Sequence, residues 1–325
     1  MSLKINILKL LEQSRDKYIS GEDMAFNFNV SRAAVNKAVN SLREEGHLIE
    51  SVTKKGYRLL SESDVLSVEG ILPYLRDDYR GNIYVFDTVE STNKTAKEIA
   101  MEGNEDGSVI VANGQTKGRG RQNRSFYSPK DTGVYMSYIL RPQDDANIYN
   151  VVTVAACIAV CRAIYKLTGI ECGIKWVNDI FLNGKKICGI LTEGSFDLEN
   201  GRINLVIIGI GINVSTKDFP EDLEAVAGSI CNSKDGFVPR NRLVAEVLNE
   251  LQSLTAPESL KEKKFIQEYR EMSIVVGRDV EILVGENRKK AHVIDIDDNG
   301  GLVVRCEDGK VESLNYGEIS LRWNS

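Results

Sequence analysis

The chain is 325 residues long, 42% hydrophobic and 27% charged, with a formal net charge of −6 at pH 7. That composition is ordinary for a globular protein, and the length exceeds one compact core, so two or three domains are expected. No uninterrupted apolar run approaches the roughly 18 residues that span a bilayer, and the N-terminus lacks a signal peptide's apolar core, so the expected setting is cytoplasmic and away from membranes. Cys157, Cys161, Cys172, Cys188, Cys231 and Cys306 form no CxxC pair and read as reduced core thiols. The two histidines, His47 and His292, lie far apart, which disfavours a histidine zinc site or a Ser-His-Asp triad.

Charge is uneven along the chain. Residues 1–60 hold ten Lys/Arg against seven Asp/Glu, a net of +3, which leaves −9 for the rest. Apolar residues from Ile5 to Gln13 repeat at helical spacing, and Ser20 with Asp23 marks the start of a second, short helix through Phe28. Asn29-Val30-Ser31 supplies a turn and the next N-cap. From Arg32 to Glu45, Val35, Ala38, Val39 and Leu42 face inward and leave Arg32, Asn36, Lys37, Asn40 and Arg43 outside. Two strands follow, 47–52 and 56–60, around the basic tip Thr53-Lys54-Lys55-Gly56. This is a helix-turn-helix with a wing, and residues 1–62 resemble bacterial winged-helix regulators. Its candidate DNA contacts are Ser31, Arg32, Asn36, Lys37 and Asn40 on the second helix of the motif, with Lys54 and Lys55 on the wing.

Ser61-Glu62-Ser63-Asp64 reads as a polar junction, and residues 65–80 resume compact structure. The strand 82–86 (NIYVF) leads through DTVESTN into a helix; taken alone, Ser91 and Thr92 are ordinary N-caps. A strand over 108–112 feeds GQTKGRGRQNRS, twelve residues with four cations, three glycines and no acid. Such a loop suits closure over a polyanion, because glycine admits close backbone approach and arginine forks pair with phosphate or carboxylate. A strand over 133–140 and an all-round apolar, buried helix over 150–167 follow. Next come Lys175-Trp176-Val177-Asn178-Asp179, a hairpin turning at Asn183-Gly184, and strands near 187–196 and 202–210, the last running into Gly209-Ile210-Gly211-Ile212-Asn213. No GxGxxG opens a helix and no GxxxxGK[ST] occurs, which disfavours dinucleotide and P-loop folds. Lys175, Lys185 and Lys186 add cations near strand ends, while Asn178 and Asp179 suit a nucleobase, a ribose or Mg²⁺. Residues 143–148 and 215–220 read as loops, and 260–272 as one charged helix. Short strands separated by Gly285, Asn299-Gly300-Gly301 and Asp308-Gly309 then make a small β-barrel.

In order and spacing, five segments resemble the biotin protein ligases: Ser91-Thr92-Asn93, Gln115 with Gly118-Arg119-Gly120-Arg121, KWVND, Lys186 with Gly189-Ile190-Leu191, and Gly209-x-Gly211-Ile212-Asn213. The resemblance covers nearly the whole chain. With the winged helix in front, it extends to the biotin–[acetyl-CoA-carboxylase] ligases that also repress biotin genes. It implies an α+β protein with a class II synthetase-like central domain over 63–273 and an SH3-like barrel over 274–325. It also implies two steps with ATP and Mg²⁺: formation of biotinyl-5′-AMP, then transfer to a lysine of the biotin carboxyl carrier protein. By the same resemblance, Ser91, Thr92, Asn93, Gln115, Gly118, Arg119, Arg121, Lys186, Gly209 and Gly211 hold biotin. Arg121, Arg124, Phe126, Lys175, Asn178, Asp179 and Asn213 hold ATP or the adenylate, Arg121 and Lys186 serve catalysis, and Mg²⁺ lies near Asp179. A segment over 216–221 covers the nucleotide. Biotinyl-AMP is the implied corepressor, acting on a homodimer that binds an inverted-repeat operator.

The chain departs from many relatives at GRGRQNR, where they read GRGRRGR, and at KWVND, where they read KWPND. The second change is expected to free a backbone segment. Two other readings stand beside the ligase: a biotin-responsive regulator without ligase activity, and a lipoate-ligase-like enzyme with a DNA module. Arg121, Lys186 and Asn178 favour a ligase, and GRGR with KWxND favours biotin.

Overall fold

A computed structural model describes residues 2–103, 105–142, 148–197, 202–231, 237–284, 287–315 and 317–321. The chain opens with α1 (Leu3–Gln13), α2 (Gly21–Asn27), α3 (Arg32–Glu44), β1 (Ile49–Val52), β2 (Gly56–Leu59) and the single turn α4 (Val68–Ile71). Its middle runs β3 (Ile83–Val89), α5 (Thr92–Glu102), β4 (Val109–Gln115), β5 (Gly133–Leu140), α6 (Ile148–Thr168), β6 (Gly173–Lys175), β7 (Asp179–Leu182), β8 (Lys185–Asp197) and β9 (Arg202–Asn213). Then come α7 (Glu221–Glu224), α8 (Arg240–Leu254), α9 (Pro257–Glu262), α10 (Phe265–Met272), β10 (Asp279–Val284), β11 (Asn287–Ile296), β12 (Leu302–Cys306), β13 (Val311–Leu314) and β14 (Glu318–Leu321). These group into two compact units, residues 1–79 with 231–249, and residues 80–230 with 250–325.

In the first unit, Ser2, Ser20 and Ser31 each cap a helix with the side-chain oxygen. Ile7, Leu8, Leu11, Met24, Val35, Val39, Leu42 and Leu59 make one buried core. The antiparallel hairpin β1–β2 turns at Lys54 and Gly56, which take positive φ of 67° and 105°. Ser31, Arg32, Asn36, Lys37, Asn40, Lys54 and Lys55 are all exposed. Arg43 departs from expectation: it folds back, with Nε donating to the Ile49 carbonyl at 2.8 Å and Nη2 to Ser51 Oγ at 2.9 Å. The bond ties the end of α3 to a hairpin carbonyl.

The polar junction after the hairpin is also held. Arg15 donates to the carbonyls of Ser61 and Ser63 at 3.0 Å and pairs with the buried Glu12. The buried Arg240 grips Asp64 through both the carboxylate and the carbonyl. Both arginines satisfy part-buried chain carbonyls, so this polar segment is pinned in place.

The second unit is built on a seven-stranded sheet, ordered β3-β4-β5-β9-β8-β7-β6. β3 and β4 are parallel across α5, and the remaining pairs are antiparallel. By length and composition α6 is apolar enough to cross a bilayer, yet 78% of that stretch is buried inside the protein. The expected loop at 143–148 lies outside the described residues except for Ile148, which begins α6. The expected charged helix is two helices, because Lys263 adopts φ 53° between α9 and α10. α8, unassigned above, has Leu243, Val244, Val247, Leu248 and Leu251 at helical spacing, and all five are buried. The C-terminal strands form a five-stranded antiparallel sheet, β13-β12-β11-β10-β14. Trp176 Nε1 donates to the Gly300 carbonyl at 2.9 Å, and Arg270 bonds the Ile296 carbonyl and Asp298, so this sheet is tied to the body.

His47 is 4% exposed, and burial, helped by the charges of Arg15 and Lys4, pushes its pKa down to about 4 from 6.5. The unfolded chain therefore binds more protons than the folded one between these values, so stability is present above pH 6.5 and is lost as pH falls toward 4. Replacing His47 with Leu should remove about 2 kcal/mol of this acid sensitivity between pH 7 and pH 5. Hydrogen exchange of the α1–α3 amides, compared for both proteins at both pH values, measures it; equal pH dependence contradicts it.

Candidate active site

Three neighbouring strands set the floor of the site. Their register aligns Tyr135, Gly211 and Gly189 in one row, and Ser137, Gly209 and Leu191 in the next. The glycines leave the sheet bare where other side chains lie on it. A Cβ on Gly211 would stand 2.5 Å from the Phe126 ring, and one on Gly209 would stand 2.1 Å from Asn93 Oδ1. Phe126 also meets Tyr135 edge-on, with centroids 6.4 Å apart.

Around this floor lies a cavity of about 790 Å³. Ser91, Thr92, Asn93, Gln115, Arg119 and Arg121 line one part; Arg124, Phe126, Lys175, Asn178 and Asp179 join them with Lys186, Gly209, Gly211 and Asn213. Gly118 does not line it. That glycine sits behind the loop, where a Cβ would be 2.4 Å from the Phe126 carbonyl. Of the segment 216–221, Phe219 reaches the cavity, and the wall continues through Leu223, Val226 and Ala227. Sequence reading missed those three, together with Tyr127, Phe181, Leu283, Arg288 and Ile319. The last three come from the C-terminal sheet, and no local pattern announces them.

The hydrogen bonds divide the cavity into two chemical parts. At one end the backbone N–H of Thr92 donates to Gln115 Oε1 at 2.9 Å, Gln115 Nε2 donates to Ser128 Oγ at 2.9 Å, and Ser128 Oγ donates to the Phe126 carbonyl. Ser91 occupies the N-cap of α5 without making a side-chain capping bond, so its hydroxyl is not committed to the helix end. Asn93 Nδ2 donates to Glu193 Oε2 at 2.7 Å, and Lys97 and Arg119 pair with the same carboxylate. Burial pushes the Glu193 carboxyl up, but the hydrogen bonds from Asn93 and Lys97, with the charges of Lys97 and Arg119, outweigh it and hold the group below its ordinary value.

At the other end Arg121 donates from Nη1 to Asn178 Oδ1 at 3.3 Å and from Nη2 to the Gly317 carbonyl at 3.0 Å. Lys186 Nζ stands 2.6 Å from Asp179 Oδ1, off the hydrogen-bonding direction, so the contact is an ion pair. Asn213 Nδ2 donates to the Gly228 carbonyl, while its buried Oδ1 has no hydrogen-bond partner among the described residues. Val177 does not free its segment as expected. The residue is buried, and its carbonyl accepts from Tyr269 Oη at 3.0 Å and Cys157 Sγ at 3.5 Å. In the loop, Gln122 takes a left-handed φ of 52°.

Residues 85–213 match the Biotin/lipoate A/B protein ligase family, 4–58 an HTH domain, and 275–322 the Biotin protein ligase C terminal domain. The bifunctional ligase/repressor BirA of Bacillus subtilis is 38% identical over 250 residues, 76% of each chain. The chain belongs to the BirA family. Its Escherichia coli relative of the same name is 27% identical and is aligned over 99% of this chain and 98% of its own. Among solved structures, the Aquifex aeolicus biotin protein ligase in complex with biotin and ATP is 29% identical with a TM-score of 0.63, covering 74% of this BirA-family chain and 98% of its own. Since these relatives align across the strands that carry the cavity, the glycine-bare floor lies within the region of family likeness.

The floor makes a stability contrast. Gly209→Ala, against the fixed Asn93 amide, should cost about 1–3 kcal/mol. Gly120→Ala, whose nearest neighbour would be 3.5 Å away, should stay within about 0.5 kcal/mol. Thermal unfolding of the two variants ranks them, and equal melting temperatures contradict the steric account.

Proposed function

We propose that this protein is a biotin–[acetyl-CoA-carboxylase] ligase that also represses transcription of biotin genes. The observation that carries the ligase reading is the meeting of nearly all the separated polar motifs in one cavity. Biotin brings a carboxylate and ATP a triphosphate, so the barrier is a like-charge encounter, and the protein's contribution is positioning and charge neutralisation. The biotin carboxylate attacks the α-phosphorus, pyrophosphate leaves, and biotinyl-5′-AMP remains. The amine of an acceptor lysine on the biotin carboxyl carrier protein then attacks the anhydride carbonyl and AMP leaves.

In this reading Ser91, Thr92, Asn93, Gln115 and Arg119 receive biotin, with Gly209 and Gly211 beneath it and Gly118 shaping the loop from behind. Arg121 and Lys186 act at the carboxylate–phosphoryl junction. Arg121 now donates to two neutral oxygens, and trading them for a phosphate gives stronger, charge-assisted bonds. Arg124, Phe126, Lys175, Asn178 and Asn213 serve the nucleotide, whose amine or ribose hydroxyl suits the unpartnered Asn213 Oδ1. The described residues hold no cluster of three His, Cys, Asp or Glu that would cage a metal. The lone cavity carboxylate Asp179 fits Mg²⁺ brought in on the triphosphate, where it would neutralise phosphate charge. Segment 216–221 covers the nucleotide, and Leu223, Val226 and Ala227 continue its wall.

The domains are read as 1–62, 63–273 and 274–325, the central one class II synthetase-like and the last an SH3-like barrel. The setting is cytoplasmic. The protein binds an inverted-repeat operator as a homodimer, with biotinyl-AMP as corepressor, through the exposed residues of α3 and the wing tip.

Incubation with ATP, Mg²⁺, labelled biotin and a biotin-acceptor domain should place label on one acceptor lysine. Binding of biotin without transfer would leave a regulator only, and label from lipoate alone would overturn the biotin assignment. Arg121→Ala should release biotinyl-AMP into solution faster than the parent protein, as measured by chromatography of quenched samples; unchanged retention contradicts its role. For DNA, Lys54→Ala and Lys55→Ala should each lower the salt slope of operator binding by about one. Filter binding across a salt series reads this, and an unchanged slope removes the wing tip from the interface.

A further inference from the structure

One stripe of α3, formed by Asn36, Asn40 and Arg43 at i, i+4 and i+7, turns toward the hairpin. Arg43 bonds Ser51 Oγ and the Ile49 carbonyl on β1, and Asn36 Nδ2 donates to Tyr57 Oη on β2 at 3.2 Å. Ser51 and Tyr57 stand opposite each other in the hairpin register, so their side chains share the face that meets the helix.

Tyr57 is held at every point except one. Its N–H and its carbonyl both bond the backbone of Ile19, each at 2.9 Å. Its ring packs on the core of the first unit, and Gly21 leaves room for it, since a Cβ there would stand 3.1 Å from Tyr57 Cε2. The remaining point is the hydroxyl hydrogen, and the amides of the stripe decide where it goes. Arg43 Nη1 donates to Asn40 Oδ1 at 3.2 Å. A guanidinium cannot accept, so the Asn40 amide is fixed with its oxygen toward Arg43 and its nitrogen toward Asn36. Asn40 Nδ2 donates to Asn36 Oδ1 at 3.1 Å, which leaves Asn36 Nδ2 facing Tyr57. Turning Asn36 over would set two NH₂ groups against each other. Tyr57 Oη is therefore the acceptor, and no described residue takes its hydrogen. The bond lies at the exposed surface of the module.

We propose that Tyr57 donates this hydrogen to a phosphodiester oxygen of the operator, at the seam between α3 and the wing. The inference rests on the repressor reading and adds a residue to it. A helix seated in the major groove is flanked by the phosphates of the groove wall, and an element packed along its side meets them. The same module exposes Arg32, Lys37, Lys54 and Lys55, whose charge draws the duplex to it. Tyr57 differs from these in kind. A neutral donor displaces no counterion, so it adds affinity and orientation without adding to the salt dependence.

The probe is a duplex selected from random-sequence DNA by the full-length parent with biotin and ATP. It is then resynthesised with one methylphosphonate at each position of a half-site in turn. Tyr57→Phe keeps the ring on Gly21 and both backbone bonds to Ile19, so the fold is retained. This variant should bind the unmodified duplex at least about fivefold more weakly than the parent, with an unchanged salt slope. At the contacted phosphate, the methylphosphonate should cost the variant at least about threefold less than it costs the parent, and elsewhere it should cost both the same. Parent-like affinity of Tyr57→Phe overturns the proposal. So does a loss equal at every methylphosphonate, because a loosened hairpin weakens all contacts alike, and so does a salt slope lowered by about one, the signature of a lost cation. A parent that selects no duplex overturns the repressor reading together with this inference, whereas selection by the parent with an unaffected variant overturns this inference alone.

Discussion

The pairing of β8 with β9, and of β9 with β5, is the constraint on which the site depends. Their register places Gly189 and Gly211 side by side next to Tyr135, and Gly209 next to Ser137. Strand side chains alternate between faces, so a slip of one residue would put isoleucines where the glycines are. Phe126 would then have no floor to lie on, and Asn93 would lose the gap it fills. The GRGR loop is thus anchored by packing against sheet backbone, through a residue that follows the arginines rather than one of them.

A second regularity concerns charge. Three cations of the cavity rest on an oxygen of the protein: Arg121 on Asn178 and Gly317, Lys186 on Asp179, and Arg119 on Glu193. Such resting partners orient long side chains and reduce the cost of holding them within a partly buried cavity. They also differ in strength. Arg121 leans on neutral groups, whereas Arg119 and Lys186 lean on carboxylates. The hold of the C-terminal sheet on Arg121 through Gly317 makes that sheet part of the site's electrostatics, beyond its apolar contribution from Leu283 and Ile319.

Arginine also shows how far composition misleads in the N-terminal unit. Arg32 is exposed on α3, while Arg15, Arg43 and Arg240 turn inward to chain carbonyls or buried carboxylates. A count of basic residues treats all four alike. Only the first remains available to a phosphate backbone, and the inward three instead fix the hairpin and the stretch after it.

From the residues alone, three things were determined: the helix-turn-helix, through its serine caps and apolar spacing; the order of the ligase motifs; and the β-hairpin at Asn183-Gly184. Each depends on interactions within a few residues, where capping, periodicity and turn chemistry operate. The tertiary structure alone decided that Val177 is held, that the expected charged helix breaks at Lys263, that Gly118 stands behind the loop, and that Glu193, Arg288 and Ile319 belong to the site or its support. Those outcomes are set by contacts between residues far apart in the chain, which leave no local pattern. The Arg/Gly loop announced that something anionic is bound, but its resting geometry is written in Asn178 and Gly317, the latter 196 positions away from Arg121.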